Sequence, residues 1–267
     1  MRILVTNDDG VDAPGLIALA RALCSAGHRI EIAVPASDRS GTGSGVGSIE
    51  HGAEVSFEER ELPGLPGVRT HVIDAPPAFA VLASCTGVLG GRPDLVVSGI
   101  NDGFNTGRFL LASSTVGAAL AAGSLGVRGI AVSAGFAPNH RFDTAAHVAV
   151  EAVKWMKENS RPRTVLNINV PDRDISDLRG ARMAKLAPRG LMGLRVSRGD
   201  RVLRMERYEN SDGLGVGTDA ALVHEGFVSV TALPSISDPG REPGASTPAG
   251  YLGRALRLRG ERSAVTG

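Results

Sequence analysis

The feature that most constrains this chain is its alternation of short β-branched runs with longer stretches of helical spacing. Strands are predicted at Arg2–Thr6 and Val165–Val170 and at 29–34, 94–97 and 129–132. Between them, 14–26, 77–89, 114–125 and 143–158 carry apolar residues at the three- and four-residue intervals of a buried helix face. Strand and helix in strict turn are the pattern of a parallel sheet with crossover helices. The expected fold is therefore α/β, a Rossmann-like, doubly wound, mostly parallel sheet in three layers. Pro14 suits a first helical turn, with Asp12 close to the cap position.

After Pro171 the texture changes. Residues 179–207 hold eight arginines interleaved with Leu, Val and Met, without a helical stripe. A β-like run closes at 227–233, and 251–259 (YLGRALRLR) has the spacing of a short basic amphipathic helix. The expected organisation is one domain over 1–267. Within it, 1–170 forms the core, and 171–267 forms a β-rich hairpin arm and a C-terminal helical segment.

Composition excludes several classes. Hydrophobic residues make up 42% and charged residues 21%, too apolar for a disordered chain, and the 35 glycines follow no collagen period. A net charge of +1 gives no global field toward nucleic acid or a membrane surface. The arginine-rich stretch lacks the interleaved aromatics that single strands require, so no stable nucleic-acid partner is expected. Cys24 and Cys85 stand far apart with no CxxC, which fits a reducing, cytoplasmic setting. The opening MRILVTNDDG is too short an apolar run for a signal peptide, and 75–91 is broken by prolines and glycines, so no membrane partner is expected.

In open parallel sheets ligands bind at the carboxyl ends of strands. Here those ends deliver Asn7-Asp8-Asp9-Gly10, the 35–43 loop with Ser40 and Gly41, and Ser98 to Gly107 with Asn101 and Asn105. The next helix opens at Ser113-Ser114-Thr115. All four loops are expected on one rim. Adjacent carboxylates repel unless a proton or cation intervenes, and carboxylate, hydroxyl and amide oxygens suit magnesium, manganese or calcium rather than zinc. Asp8, Asp9, Ser40 and Asn101 form such a set, although Asp-Asp-Gly after a strand is also a common turn. Ser113 to Thr115 fit a phosphate at a helix start or a plain N-cap. The glycine-rich 41–47 stretch matches neither phosphate-loop motif and reads equally well as a mobile flap. No G-x-S-x-G elbow occurs, and the six histidines show no paired ligand spacing.

At these residues the chain resembles the SurE family of stationary-phase survival proteins, metal-dependent nucleotide phosphatases. The matching stretches are RILVTNDDGVDAPGL, VPASDRSGTG, PDLVVSGINDGFNTG, STVGAA and GTDAALVHEGFVSVTAL. They span nearly the whole chain in order, and the first and third together are highly specific. The resemblance implies hydrolysis of phosphomonoesters, commonly nucleoside 5′- or 3′-monophosphates, with one divalent cation per subunit, Mg²⁺ or Mn²⁺. It implies metal ligands at Asp8, Asp9, Ser40 and Asn101, and phosphate contacts at Asn105 and Ser113 to Thr115. Asn7 and Gly41 join the expected substrate contacts, and Asp8 and Asp9 carry the catalysis, with Asp8 as base. A homodimer or homotetramer exchanging the arm is also implied.

The chain departs from the family at three places. Ser44 to Gly47 are inserted before Ser48, the usual Gly-Thr-Pro-Ala-Asp reads Ala75 to Phe79, and the usual Tyr-Ser-Gly-Thr reads Ala112 to Thr115. The metal set is intact, so the chemistry is expected to survive and the substrate to be specialised. Asp8-Asp9-Gly10 lacks the D-x-D spacing of enzymes that form an aspartyl-phosphate, which favours attack by water. The alternative is a non-hydrolytic, metal-dependent binding protein for a phosphorylated ligand. A glycosyltransferase-like half-domain lacks room for its second domain.

Overall fold

A computed structural model describes residues 1–135 and 140–234. Among these residues nine strands form one sheet in the order β3-β4-β2-β1-β5-β6-β7-β11-β8, numbered along the chain. β1 (Arg2–Thr6) is flanked in parallel by β2 (Arg29–Pro35) and by the central strand β5 (Leu95–Asp102). β4 (Thr70–Ile73), β6 (Arg128–Ala134) and β7 (Val165–Val170) extend the parallel sheet. β3 (Phe57–Arg60) and β11 (Val228–Leu233) pair antiparallel with it, and β8 (Ala181–Met183) lies parallel to β11.

Alternation along each strand divides the core into two faces. Ile3 and Val5 of β1, with Leu95 and Val97 of β5, pack beneath α1 (Pro14–Ser25) and α4 (Phe142–Asn159). Leu4 and Val96 point the other way, onto α2 (Pro77–Thr86) and α3 (Ser114–Ser124). In α1, Leu16, Leu19, Ala20 and Leu23 fall at helical intervals and are fully buried. Truncating such a leucine to alanine costs about 2–5 kcal/mol. Gly15 lets α1 press against the end of β5, because a Cβ there would sit 2.1 Å from the Ile100 carbonyl oxygen.

The expected three-layer fold is present, and its strands and helices fall within about three residues of their predicted bounds, except that the strand expected to end at 97 runs on to Asp102, so that Ser98 and Asn101 lie within it. One reading is corrected. The sheet does not end at 170: α5 (Asp219–His224) and β11 belong to the core, and among the described residues only β9 (Met192–Arg198) with β10 (Leu203–Glu209) forms a separate hairpin. Asp12 lies next to the cap position of α1, as expected; the cap residue itself is Ala13, and Asp12 pairs with Arg60 at 3.3 Å. β3 and β4 were not expected, because β3 (FEER) is exposed and mostly charged, and β4 has only four residues. The helix expected at 251–259 lies outside the described residues. Among the described residues no helix is long and apolar enough to cross a membrane.

Candidate active site

The chain leaves β1 for one side of the sheet and later returns to its other side at β5. This reversal opens a crevice at the carboxyl ends of the two strands, where open α/β sheets bind ligands. Asn7 ends β1 with a closed turn: its Nδ2 donates to the Gly10 carbonyl oxygen at 2.8 Å, and its Oδ1 accepts from Gly10 N at 3.3 Å. Gly10 sits at φ 97°, a conformation that other residues adopt only with strain. The turn buries Asp8 and leaves Asp9 exposed. Asn7 is itself fully buried, so its amide shapes the loop instead of facing the rim.

Two side-chain oxygens from two other segments converge on the Thr115 hydroxyl. It lies 2.5 Å from Asp8 Oδ1 and 3.0 Å from Asn101 Oδ1. The hydroxyl has one proton for these two acceptors. Asn101 is turned this way by its Nδ2, which donates to the Gly103 carbonyl oxygen at 2.7 Å, and by the irregularity in β5 between Ser98 and Asn101. Among the described residues no Arg, Lys or His side chain forms an ion pair with Asp8 or Asp9. Burial therefore pushes the Asp8 carboxyl above its ordinary range, against the opposing pull of the Thr115 hydrogen bond. Asp9 is pushed up to about 7, first by desolvation and then by the neighbouring Asp8, Asp38 and Asp102.

The β2 loop closes the other side. Arg39 N donates to the Asp8 carbonyl oxygen at 2.9 Å, and Ser40 N to Asp38 Oδ1 at 2.7 Å. The Ser40 side chain also bonds to Asp38; this bond, ahead of the backbone one, holds the Asp38 carboxyl below its usual value. Ser113 caps α3 by accepting from Val116 N at 3.2 Å. Ser114 is fully buried and donates to the Arg39 carbonyl oxygen at 2.7 Å, while Thr42 N donates to Ser114 Oγ at 2.9 Å. Of the helix-start hydroxyls, then, Ser114 is bound to the neighbouring loop. Gly43 packs on the same helix, since a Cβ on Gly117 would lie 2.1 Å from the Gly43 carbonyl oxygen. The 41–44 segment is thus docked on α3, and Gly41 (φ 84°) has open space beside it.

Asn105 is held from three sides. Its Nδ2 donates to Ser133 Oγ at 2.8 Å, its backbone N to Asn169 Oδ1 at 2.8 Å, and its carbonyl oxygen accepts from Asn167 and Asn169. Asn167 and Asn169 were not foreseen. The signal was available: two amides at alternate positions of the otherwise apolar VLNINV put polar groups on one buried face. Asp219 was also missed as a support. Its Oδ1 accepts from Ala187 N and Ala220 N and its Oδ2 from Gly107 N, fastening the loop that carries Asn105.

The candidate donor set comprises two carboxylates, the Ser40 hydroxyl and the Asn101 amide oxygen, with no paired cation, and its chemistry fits a hard divalent ion. Among the described residues no three His, Cys, Asp or Glu side chains form such a group by themselves, so the oxygens of Ser40 and Asn101 are needed.

Residues 3–192 match the family described as Survival protein SurE. The chain belongs to the SurE family. It is 37% identical over 261 residues to the 5′-nucleotidase SurE of Xanthomonas axonopodis pv. citri, covering 95% of this chain and 96% of that protein. It is 36% identical over 260 residues to the 5′-nucleotidase SurE of Xanthomonas campestris pv. campestris, with the same coverage. The crystal structure of the SurE protein from Aquifex aeolicus superimposes with a TM-score of 0.75 at 30% identity, covering 90% of this chain and 95% of that one. The SurE-like stretches all form or support the rim described above. GTDAALVHEGFVSVTAL, the stretch most distant in sequence from Asp8, supplies Asp219 and the strand β11 that pairs with β7.

Proposed function

We propose that this SurE protein is a metal-dependent phosphomonoesterase that hydrolyses nucleoside 5′- or 3′-monophosphates, or a related specialised phosphate ester. One observation carries the reading: Asp8, Thr115 and Asn101 bring three oxygens together beside Asp9, with no cationic side chain among the described residues paired to either carboxylate. Asp8, Asp9, Ser40 and Asn101 would hold one divalent ion, Mg²⁺ or Mn²⁺. When bound, such an ion supplies Lewis acidity and charge neutralisation at the phosphoryl group.

The chain's own residues do the rest. The backbone N–H groups of Ser114 and Thr115 open α3 without intrahelical acceptors, which favours a phosphate there. Ser113 fixes that helix start, and Asn105 is held rigid to meet the same group. These donors stabilise charge on the equatorial oxygens of the transition state. Of the two carboxylates, Asp9 faces solvent while Asp8 is buried against Thr115, so Asp9 and not Asp8 receives the proton of the attacking water. Asn7 and Ser114 act as supports of the loops.

The hairpin suits self-association. Val196 and Met205 are direct partners in its register, and both are exposed, as is Leu203. A second copy covering this apolar face would give the homodimer or homotetramer, in the cytoplasm.

The reading is tested by phosphate release from 5′- and 3′-nucleotides, sugar phosphates and an aryl phosphate, with EDTA, Mg²⁺ and Mn²⁺ as parallel conditions. Release that needs the cation supports it. A bound cation with no release from any ester overturns it in favour of a binding protein.

A further inference from the structure

The carboxylates of the rim have no cationic partner among the described residues, yet an arginine starts beside them. The backbone N of Arg39 donates to the Asp8 carbonyl oxygen at 2.9 Å, so its long side chain leaves the loop next to the Asp8–Asp9 pair. A free guanidinium binds carboxylates by charge-assisted, often paired hydrogen bonds. At this place it would occupy the oxygens that a cation needs.

Arg39 turns instead to Asp74, which follows β4. Its Nη2 lies 2.6 Å from Asp74 Oδ1. The sheet, and not the loop, sets the place of Asp74. Ala36 N donates to the Ile73 carbonyl oxygen at 2.8 Å, and Asp74 N donates to that of Ser56 at 3.0 Å. Asp38, the carboxylate next to Arg39 in sequence, accepts from Ser40 N at 2.7 Å. Arg39 Nε is enclosed without a partner, so among the described residues Asp74 is the one side chain bonded to this guanidinium.

The pair can serve as a brace for the loop or as a means of placing charge, and magnitudes choose between the two. As a brace it adds little, because the Arg39 backbone is already held on both sides. Its N is bonded to Asp8, and its carbonyl oxygen accepts from Ser114 Oγ at 2.7 Å and Thr42 Oγ1 at 3.0 Å. The side chains are also 33% and 61% exposed, and exposed pairs contribute little to stability. Placing charge matters more, since a guanidinium moved onto two adjacent carboxylates cancels the attraction that draws a divalent ion.

We infer that Asp74 is a positioning residue, which holds the Arg39 guanidinium away from Asp8 and Asp9 and so keeps that pair open to the cation. The inference rests on the reading of Asp8 and Asp9 as cation ligands and adds a control of their affinity.

The test is a double-mutant cycle on the metal-free full chain, titrated with Mn²⁺ in a calorimeter. Asp74→Asn keeps the shape and removes the charge, and should weaken Mn²⁺ binding about tenfold. Asp74→Glu keeps the charge and should stay within about threefold of wild type. Arg39→Gln should shift affinity by less than about threefold in the wild-type background, where the guanidinium is already turned away. In the Asp74→Asn background it should restore about tenfold. Asp74→Asn should melt close to wild type, as expected for an exposed pair.

Unchanged affinity in Asp74→Asn overturns the proposal. Equal factors for Arg39→Gln in both backgrounds overturn it as well, because the charges then act only through the general field. A loss in Arg39→Gln as large as that in Asp74→Asn, or a steep fall in melting temperature, makes the pair a brace and overturns it too. A wild type that binds no Mn²⁺ fails the cation reading, and the proposal falls with it. Should the expected coupling appear while no ester is hydrolysed, the phosphomonoesterase reading fails and the role of Asp74 stands.

Discussion

The hydroxyl of Thr115 lies 2.5 Å from Oδ1 of Asp8, joining the first turn of α3 to the end of β1 across 107 residues of chain. The same hydroxyl reaches Asn101, so one side chain sets the spacing of three loops. Thr115→Val keeps the shape and removes the hydrogen bond. It should lower kcat/KM for phosphate release about 100-fold, in the range seen when one preorganised donor is lost. It should also weaken cation binding in a calorimetric titration. Thr115→Ser, which retains the hydroxyl, should keep most of both.

Asp9 links the site to pH. Its carboxyl is raised to about 7 in the metal-free fold, against 3.8 for the free group. Between those values the folded state holds a proton that the unfolded chain has released. Stability therefore falls as pH rises from about 4 to about 7. Asp8 is shifted in the same direction and adds to the slope. A divalent cation must displace the proton, so its affinity should weaken as pH drops below about 7. Thermal melts of the metal-free protein across this range should show the decline, and Asp9→Asn should flatten it. An equally steep profile in Asp9→Asn would remove Asp9 as its source.

Asp219 is a structural anchor with a functional consequence. Asp219→Ala leaves the N–H groups of Gly107, Ala187 and Ala220 without their acceptor. Each orphaned buried donor costs about 1–3 kcal/mol, so a loss of about 3 kcal/mol or more is expected in urea unfolding. Asp219→Asn preserves one oxygen and should lose less.

Gly117 tests the docking of the glycine-rich loop. A methyl group there meets the Gly43 carbonyl oxygen at 2.1 Å, which forces the loop off α3. Gly117→Ala should destabilise the fold by about 1–3 kcal/mol, the usual range for overpacking. It should also reduce turnover, because the same loop carries Ser40. A variant with wild-type melting and wild-type kcat would show that the loop is not held by this contact.

What was legible in the sequence follows from the range of each interaction. The two faces of β1 could be read from Ile3, Leu4 and Val5 because alternation is local, and Asp8, Asp9 and Asn101 because each follows a predicted strand. The hydroxyl-to-carboxylate contact of Thr115 was not legible, since it joins segments brought together only by the strand order. Ser114 and Asn7 had the residue types of ligand contacts, yet their polar atoms bond to Arg39 and Gly10. The core's continuation past 170 was hidden because β8 has three residues and the hairpin between it and β11 is exposed and charged.

The central claim is that the Asp8–Asp9 pair sustains cation-dependent hydrolysis, and it is tested most directly with Asp8→Asn and Asp9→Asn. Phosphate release from a nucleoside 5′-monophosphate should be measured at saturating Mg²⁺ or Mn²⁺, beside wild type and a chelated control. The expected result is loss of turnover in both variants by at least 100-fold, with circular dichroism and melting close to wild type. Near-normal turnover in both folded variants would contradict the account.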